Sequence, residues 1–325
     1  MNPEFRFIET NGVKLRAAVQ GEGPLVVMVH GFPESWYSWR HQMAPLAAAG
    51  FTACAIDVRG YGGSDKPHAV EAYSMANMTA DVAGVVDALS PNAPAVLIGH
   101  DWGAPIVWHT AVLHPSKVRA VAGLSVPYYA LPPAPLNQIF KAMYTDQGKF
   151  FYMAYFQNEG VAEAEFERDV RGALRRLYYA ASADASGKWG GNNKPADEPM
   201  LQGMPDPDPF PAWLTPADID YFVGEFEKSG FRGPINRYRN FERDWQLMSG
   251  VEDRVIHQPS LFVAGAEDMV LRMFGDGNVD TLVNNMKAVM SDFRGAHIIP
   301  NAGHWNQQEA PEATTGVLID WLATL

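Results

Sequence analysis

The run Ala95-Val96-Leu97-Ile98-Gly99-His100-Asp101-Trp102-Gly103 sets the architecture of this chain. Its apolar first part suits a buried strand, and Ala104 to His114 reads as a helix, so the polar centre stands at a sharp turn from strand to helix. A strand that doubles back this tightly leaves no room for β-carbons beside its tip, and Gly99 and Gly103 meet that need. An aspartate is thereby lifted clear of the sheet. The same letters would also serve an Asp that only N-caps an ordinary helix, and the rest of the chain has to choose between the two.

Upstream, Phe5 to Glu9 and Val13 to Val19 alternate about Asn11-Gly12, a hairpin signal. Leu25 to Val29 and Phe51 to Val58 are continuous apolar runs of the kind that parallel strands buried on both faces carry. Trp36 to Ala49 and Met75 to Leu89 read as helices between strands, and Val118 to Val126 as a further strand. This alternation predicts a doubly wound, mostly parallel sheet. From Leu131 to Val255 it stops, and residues 131–255 read as an inserted helical lid over a core made of 1–130 and 256–325. Within the insertion Val161 to Tyr179 reads as one helix. Ser182 to Pro211, rich in Gly, Asn, Asp and Pro, excludes regular structure, and Thr215-Pro216-Ala217-Asp218 starts a new helix. Strands resume at Leu261 to Ala264 and His297 to Ile299.

The composition bounds the function. With 325 residues, 47% of them hydrophobic, the chain can bury a large core. A net charge of −12 argues against nucleic acid and against anionic membranes as partners, both of which need a basic face. Cys54 is the single cysteine, so no disulfide forms within the chain. No signal segment or membrane span is legible, which points to a cytoplasmic protein, monomer or homodimer.

Downstream of the Asp101 turn, the strand ending at Ala264 leads into Gly265-Ala266-Glu267-Asp268, and the last strand leads into Asn301-Ala302-Gly303-His304-Trp305. Of nine histidines, His304 is the one on a loop directly after that strand, at the edge to which Asp101 also points; His30 and His100 flank strand ends and read as supporting residues. Nucleophile, acid and histidine follow in the chain order of an α/β-hydrolase triad. An aspartate is already ionised at neutral pH and needs no base in order to attack, which leaves the histidine free to activate water.

His30-Gly31-Phe32-Pro33, Gly99 to Gly103, Gly265 to Asp268 and Gly303-His304-Trp305 together resemble the epoxide hydrolases of the α/β-hydrolase superfamily, over nearly the whole chain. The resemblance implies the α/β-hydrolase fold, Asp101 as nucleophile, His304 as base and Asp268, rather than Glu267, as the acid that orients it. It implies an oxyanion hole from the backbone N–H groups of Phe32 and Trp102. Phe151 to Gln157 and Pro234 to Asn240 resemble the lid segments that carry the family's two tyrosines, which are by position Tyr152 and Tyr238. Tyr155 competes for the first of these roles and ranks behind Tyr152. Phe32, Trp102, Tyr155 and Trp305 are the expected substrate contacts. The implied reaction joins an epoxide and water into a vicinal diol through an alkyl ester on Asp101, with no metal and no organic cofactor. The phosphatase domain appended to the larger mammalian enzymes is not expected. Haloalkane dehalogenases share the elbow aspartate, but where they typically carry Asn after His-Gly this chain has Phe32. A ligand-binding module that has lost its chemistry is the reading from another class, and the full set of triad and tyrosine residues argues against it.

Overall fold

The computed structural model describes residues 3–185, 194–274 and 278–325. Its eight-stranded sheet has the order β1-β2-β4-β3-β5-β6-β7-β8. β1 (Glu4–Thr10) and β2 (Val13–Gln20) form the expected hairpin about Asn11 and Gly12, whose φ angles of 46° and 73° are the pair a two-residue turn matched to strand twist requires. β2 lies antiparallel to β4 (Thr52–Ile56). β4, β3 (Leu25–Val29), β5 (Ala95–His100), β6 (Val118–Leu124), β7 (Ser260–Gly265) and β8 (Phe293–Ile299) then run parallel.

Helices connect these strands. α1 (Arg40–Ala48), α2 (Met75–Leu89) and α3 (Gly103–Leu113) lie in the first half, and α4 (Leu136–Met143), α5 (Tyr152–Tyr155), α6 (Val161–Glu167), α7 (Val170–Ala181), α8 (Pro216–Ser229), α9 (Arg232–Asn236) and α10 (Phe241–Ser249) fall between β6 and β7. α11 (Met269–Phe274) and α12 (Val279–Lys287) follow β7, and α13 (Asn306–Glu309) and α14 (Pro311–Leu322) follow β8. Among the described residues no helix is long and apolar enough to cross a membrane.

The apolar runs behave as strands covered on both faces. Val27, Leu97, Val121 and Phe262 enter one core with α2, α3 and α12, while Val26, Ile98, Ala122 and Val263 enter the other with α1 and α14. Each fully buried Val, Leu or Ile contributes about 1.5–3 kcal/mol, so the inner strands form a rigid platform. β3 has β4 on one side and β5 on the other. The loops leaving the C-terminal ends of β3 and β5 therefore part, and such a parting is where open α/β sheets form their crevice. Phe32 follows β3, and Asp101 follows β5.

Two helical readings need comment. Val161 to Tyr179 is not one helix: α6 ends at Glu167 and α7 begins at Val170, because the Asp169 carboxylate accepts the Gly172 N–H at 2.9 Å and caps a new helix. Thr215 does start α8, with the Asp218 N–H on Thr215 Oγ1 and the Thr215 N–H on Asp218 Oδ2. In the stretch from Ser182 to Pro211, residues 186–193 lie outside the described residues, and the described part has a 3₁₀ turn at Ala183–Ala185 and no α-helix or strand. Arg16 on β2 pairs both Asp57 and Glu225 of α8, and Arg40 pairs Asp218 at 3.1 Å, which fastens the inserted helices to the sheet.

Candidate active site

At the strand-to-helix turn Asp101 has φ 50°. A left-handed backbone at a residue with a β-carbon costs roughly 1–3 kcal/mol and persists only where its surroundings enforce it. The enforcement is local: the Asp101 N–H donates to the Leu124 carbonyl at 3.3 Å, and the Asp101 carbonyl accepts the Ala104 N–H at 3.0 Å. A β-carbon at Gly99 would collide with the Gly103 carbonyl, and one at Gly103 with the Val29 carbonyl. Gly31 is required for a third reason, since a β-carbon there would occupy the space of the Asp101 carboxylate itself.

That close approach lets the Phe32 N–H donate to Asp101 Oδ1 at 2.7 Å. The other oxygen, Oδ2, lies 3.3 Å from His304 Nε2, and His304 Nδ1 lies 3.1 Å from Asp268 Oδ1. Asp268 is fully buried and its Oδ1 also accepts the Val270 N–H at 2.9 Å. The three side chains thus stand in line, each brought by a loop at the C-terminal end of a different strand. Burial would raise the Asp101 pKa, but the bond to His304, its charge and that of His100 hold it below the ordinary carboxylate value. Burial would lower that of His304, but Asp268 and then Asp101 raise it well above the ordinary imidazole value. In the resting site the histidine stands between two carboxylates, which favour its protonated form.

A second buried pair supports this line, and the sequence reading did not include its acid. Glu34, fully buried, accepts the Gly31 N–H at 2.7 Å and faces His100 Nδ1 at 2.8 Å. His100 Nε2 lies 2.8 Å from the His304 carbonyl, which also accepts the Ser125 hydroxyl at 2.9 Å. Both ring nitrogens of His100 thus face acceptors, the Glu34 carboxylate and the His304 carbonyl. Burial works against the Glu34 anion, but His100 beside it keeps its pKa low. A carboxylate three residues after Gly31 was the available signal. His30, by contrast, donates from Nδ1 to the Gly31 carbonyl and accepts the Val58 N–H on Nε2, a neutral structural role.

Tyr152 opens α5, and Tyr238 lies in the 3₁₀ turn Arg237–Asn240; their ring centroids are 6.0 Å apart. Tyr238 also packs edge-on against Phe32 and Trp102, at 5.7 and 5.1 Å. Burial and the Asp101 charge push both phenols up, so both stay protonated through the alkaline range. A cavity of about 130 Å³ opens at Asp101, Trp102 and Tyr152 and runs past Trp108, Phe140 and Phe241, a volume that admits about one aromatic ring.

Of the expected substrate contacts, Trp102 lines this cavity and Phe32, Tyr155 and Trp305 do not. Tyr155 is not on this cavity: its ring packs against Phe150 and its hydroxyl donates to Glu165 at 2.8 Å. Trp305 is buried behind His304, with its ring 4.7 Å from the imidazole and its N–H on the Tyr178 carbonyl at 2.7 Å. Phe32 presents its amide to Asp101 while its ring joins Phe156, Phe231 and Tyr238. Among the described residues no group of three His, Cys, Asp or Glu side chains is arranged to hold a metal ion.

Residues 24–311 match the alpha/beta hydrolase fold family. Epoxide hydrolase A of Mycobacterium tuberculosis is 39% identical over 99% of this chain and 98% of its own length. Bifunctional epoxide hydrolase 2 of Rattus norvegicus is 37% identical over 96% of this chain, which spans 54% of that longer protein. Among solved structures, an epoxide hydrolase from an endophytic Streptomyces superposes with a TM-score of 0.91 at 42% identity, over 99% of this chain and 96% of its own. Epoxide Hydrolase A from Mycobacterium thermoresistibile gives 0.91 at 40%, over 99% and 98%. This chain belongs to the epoxide hydrolases of the α/β-hydrolase superfamily.

Proposed function

We propose that the chain opens apolar or aryl-bearing epoxides to vicinal diols through a covalent ester on Asp101. The observation that carries this reading is the division of labour on the Asp101 carboxylate. Oδ1 is held by the Phe32 amide, and Oδ2, 3.3 Å from His304, is the oxygen left to attack. Attack of Oδ2 on a ring carbon breaks the C–O bond, and the departing oxygen takes a proton from Tyr152 or Tyr238. Phenols that stay neutral to high pH suit that acid. Neutral His304, oriented by Asp268, then takes a proton from the water that attacks the ester carbonyl. The Phe32 and Trp102 amides receive the oxyanion; on collapse the departing diol oxygen takes the proton from His304, and the carboxylic proton left on Asp101 returns to the tyrosinate, which restores the carboxylate, the base and the phenol. Residues 131–255 act as the lid on a core of 1–130 and 256–325, and Trp108, Phe140 and Phe241 on the cavity wall support an apolar substrate.

One turnover in heavy-oxygen water, with enzyme in excess, tests the ester. The first diol should carry the ordinary oxygen of Asp101 and the label should stay in the protein; a labelled first diol means direct attack by water. The Tyr152→Phe and Tyr238→Phe substitutions should each slow ester formation, by roughly 10²-fold when combined, and leave ester hydrolysis much less changed. Rapid-quench measurement of the two steps checks this, and an unaffected double variant would remove the phenols from the mechanism.

A further inference from the structure

His109 stands on the cavity wall two turns along α3 from the nucleophile, and nothing in the reaction uses it. Its Nδ1 lies 2.6 Å from the Pro105 carbonyl one turn earlier in the same helix. A carbonyl only accepts, so Nδ1 holds the ring proton and the neutral ring keeps a lone pair on Nε2, turned away from the helix. Burial lowers the His109 pKa to about 4, which keeps the ring neutral in ordinary buffers. Nε2 has no hydrogen-bond partner among the described residues. Neighbouring polar groups are engaged: the Trp108 N–H donates to the Val126 carbonyl, the Trp245 N–H to the Pro132 carbonyl and the Tyr128 hydroxyl to the Arg254 carbonyl. Asp244 takes the Met75 N–H and pairs with Arg237. An otherwise apolar wall therefore presents an unused acceptor.

We infer that His109 is a specificity-determining residue, whose Nε2 accepts a hydrogen bond from an uncharged donor, a hydroxyl or amide N–H, on the epoxide's longer substituent. The inference rests on the reading of this cavity as the epoxide site. The helical rise from Gly103 to His109 is about 9 Å, so the donor belongs several atoms out on the substituent and not beside the reacting ring. A neutral donor matches this neutral acceptor, and the charged Arg254 and Asp244 on the same wall are already engaged, Arg254 with the Met248 and Val251 carbonyls and Asp244 with Arg237. A carboxylate would set an anion against a lone pair.

The test compares kcat/KM for terminal epoxyalkanes with that for their ω-hydroxy analogues, over a series of chain lengths, in the wild type and in His109→Leu and His109→Gln. At the chain length that reaches His109, the wild type should prefer the hydroxylated epoxide about tenfold, within the reach of one hydrogen bond. The Leu variant should lose that preference, and Gln, whose amide oxygen accepts, should recover part of it. Equal preference in wild type and the Leu variant, or no preference at any length, overturns the role of His109 alone. Failure of the wild type to open any plain epoxyalkane overturns the reading of the cavity, and this inference with it.

Discussion

Asp101→Asn lowers kcat on any epoxide by about 10⁴-fold or more, the scale seen when a covalent nucleophile is removed. The variant isolates chemistry from folding. Asp101 sits at φ 50°, and Asn is among the residues best suited to that left-handed region, so the turn keeps its conformation. The amide oxygen can still accept the Phe32 N–H, as Oδ1 does at 2.7 Å. What changes is the atom beside His304: an amide nitrogen with no available lone pair replaces the oxygen that would attack. A circular dichroism spectrum and melting temperature close to wild type, with turnover lost, are the expected pair of results. The intact mass must accompany the assay, because deamidation regenerates Asp and restores activity slowly. Full activity in protein whose mass still shows Asn would take the nucleophile's role from Asp101.

How far the sequence could be read depended on the range of the interaction involved. Asn11-Gly12, the glycines around Asp101 and the Thr215 capping box are local devices, and each formed where its letters stand. Doubly buried strands announce themselves by continuous apolar runs, so the sheet was legible too. The Asp268 to His304 to Asp101 line joins residues far apart in sequence; the order of the strand-end loops pointed to His304, and resemblance chose Asp268 over Glu267. Glu34 shows the limit most clearly. Its partners are His100 at the end of β5, the Gly31 amide and Gln307 of α13, and a glutamate three residues after Gly31 marks a carboxylate near the turn without showing that convergence. Tyr155 lies off the cavity for a related reason: spacing put it near Tyr152, but where its side chain settles is decided by packing, here against Phe150 and Glu165. Asp169 could have been read as a helix start, yet the apolar spacing of Phe166, Val170 and Leu174 runs through the break and conceals it.

In the proposed mechanism the charges that hold His304 also separate the two halves of the reaction, and a second substitution tests this. His304→Gln leaves Asp101 and both phenols in place, so ester formation proceeds while ester hydrolysis loses a general base worth about 10²–10⁴-fold. After incubation with a mixed panel of aryl epoxides and haloalkanes, the intact protein should gain the mass of one whole epoxide. In the wild type, Asp268 and Asp101 together raise the His304 pKa. Esterification removes the Asp101 charge, so the His304 pKa falls in the ester, the proton leaves and the ring becomes the base that the second step needs. Hydrolysis of the wild-type ester should therefore speed up as pH rises through that lowered value and then level off, whereas decay of the Gln adduct should not follow this curve. Unimpaired steady turnover without an adduct would make another group the base. A mass gain from the haloalkanes alone, equal to an alkyl group without its halogen, would assign the carboxylate to displacement of halide, because the phenols would then have no ring oxygen to protonate.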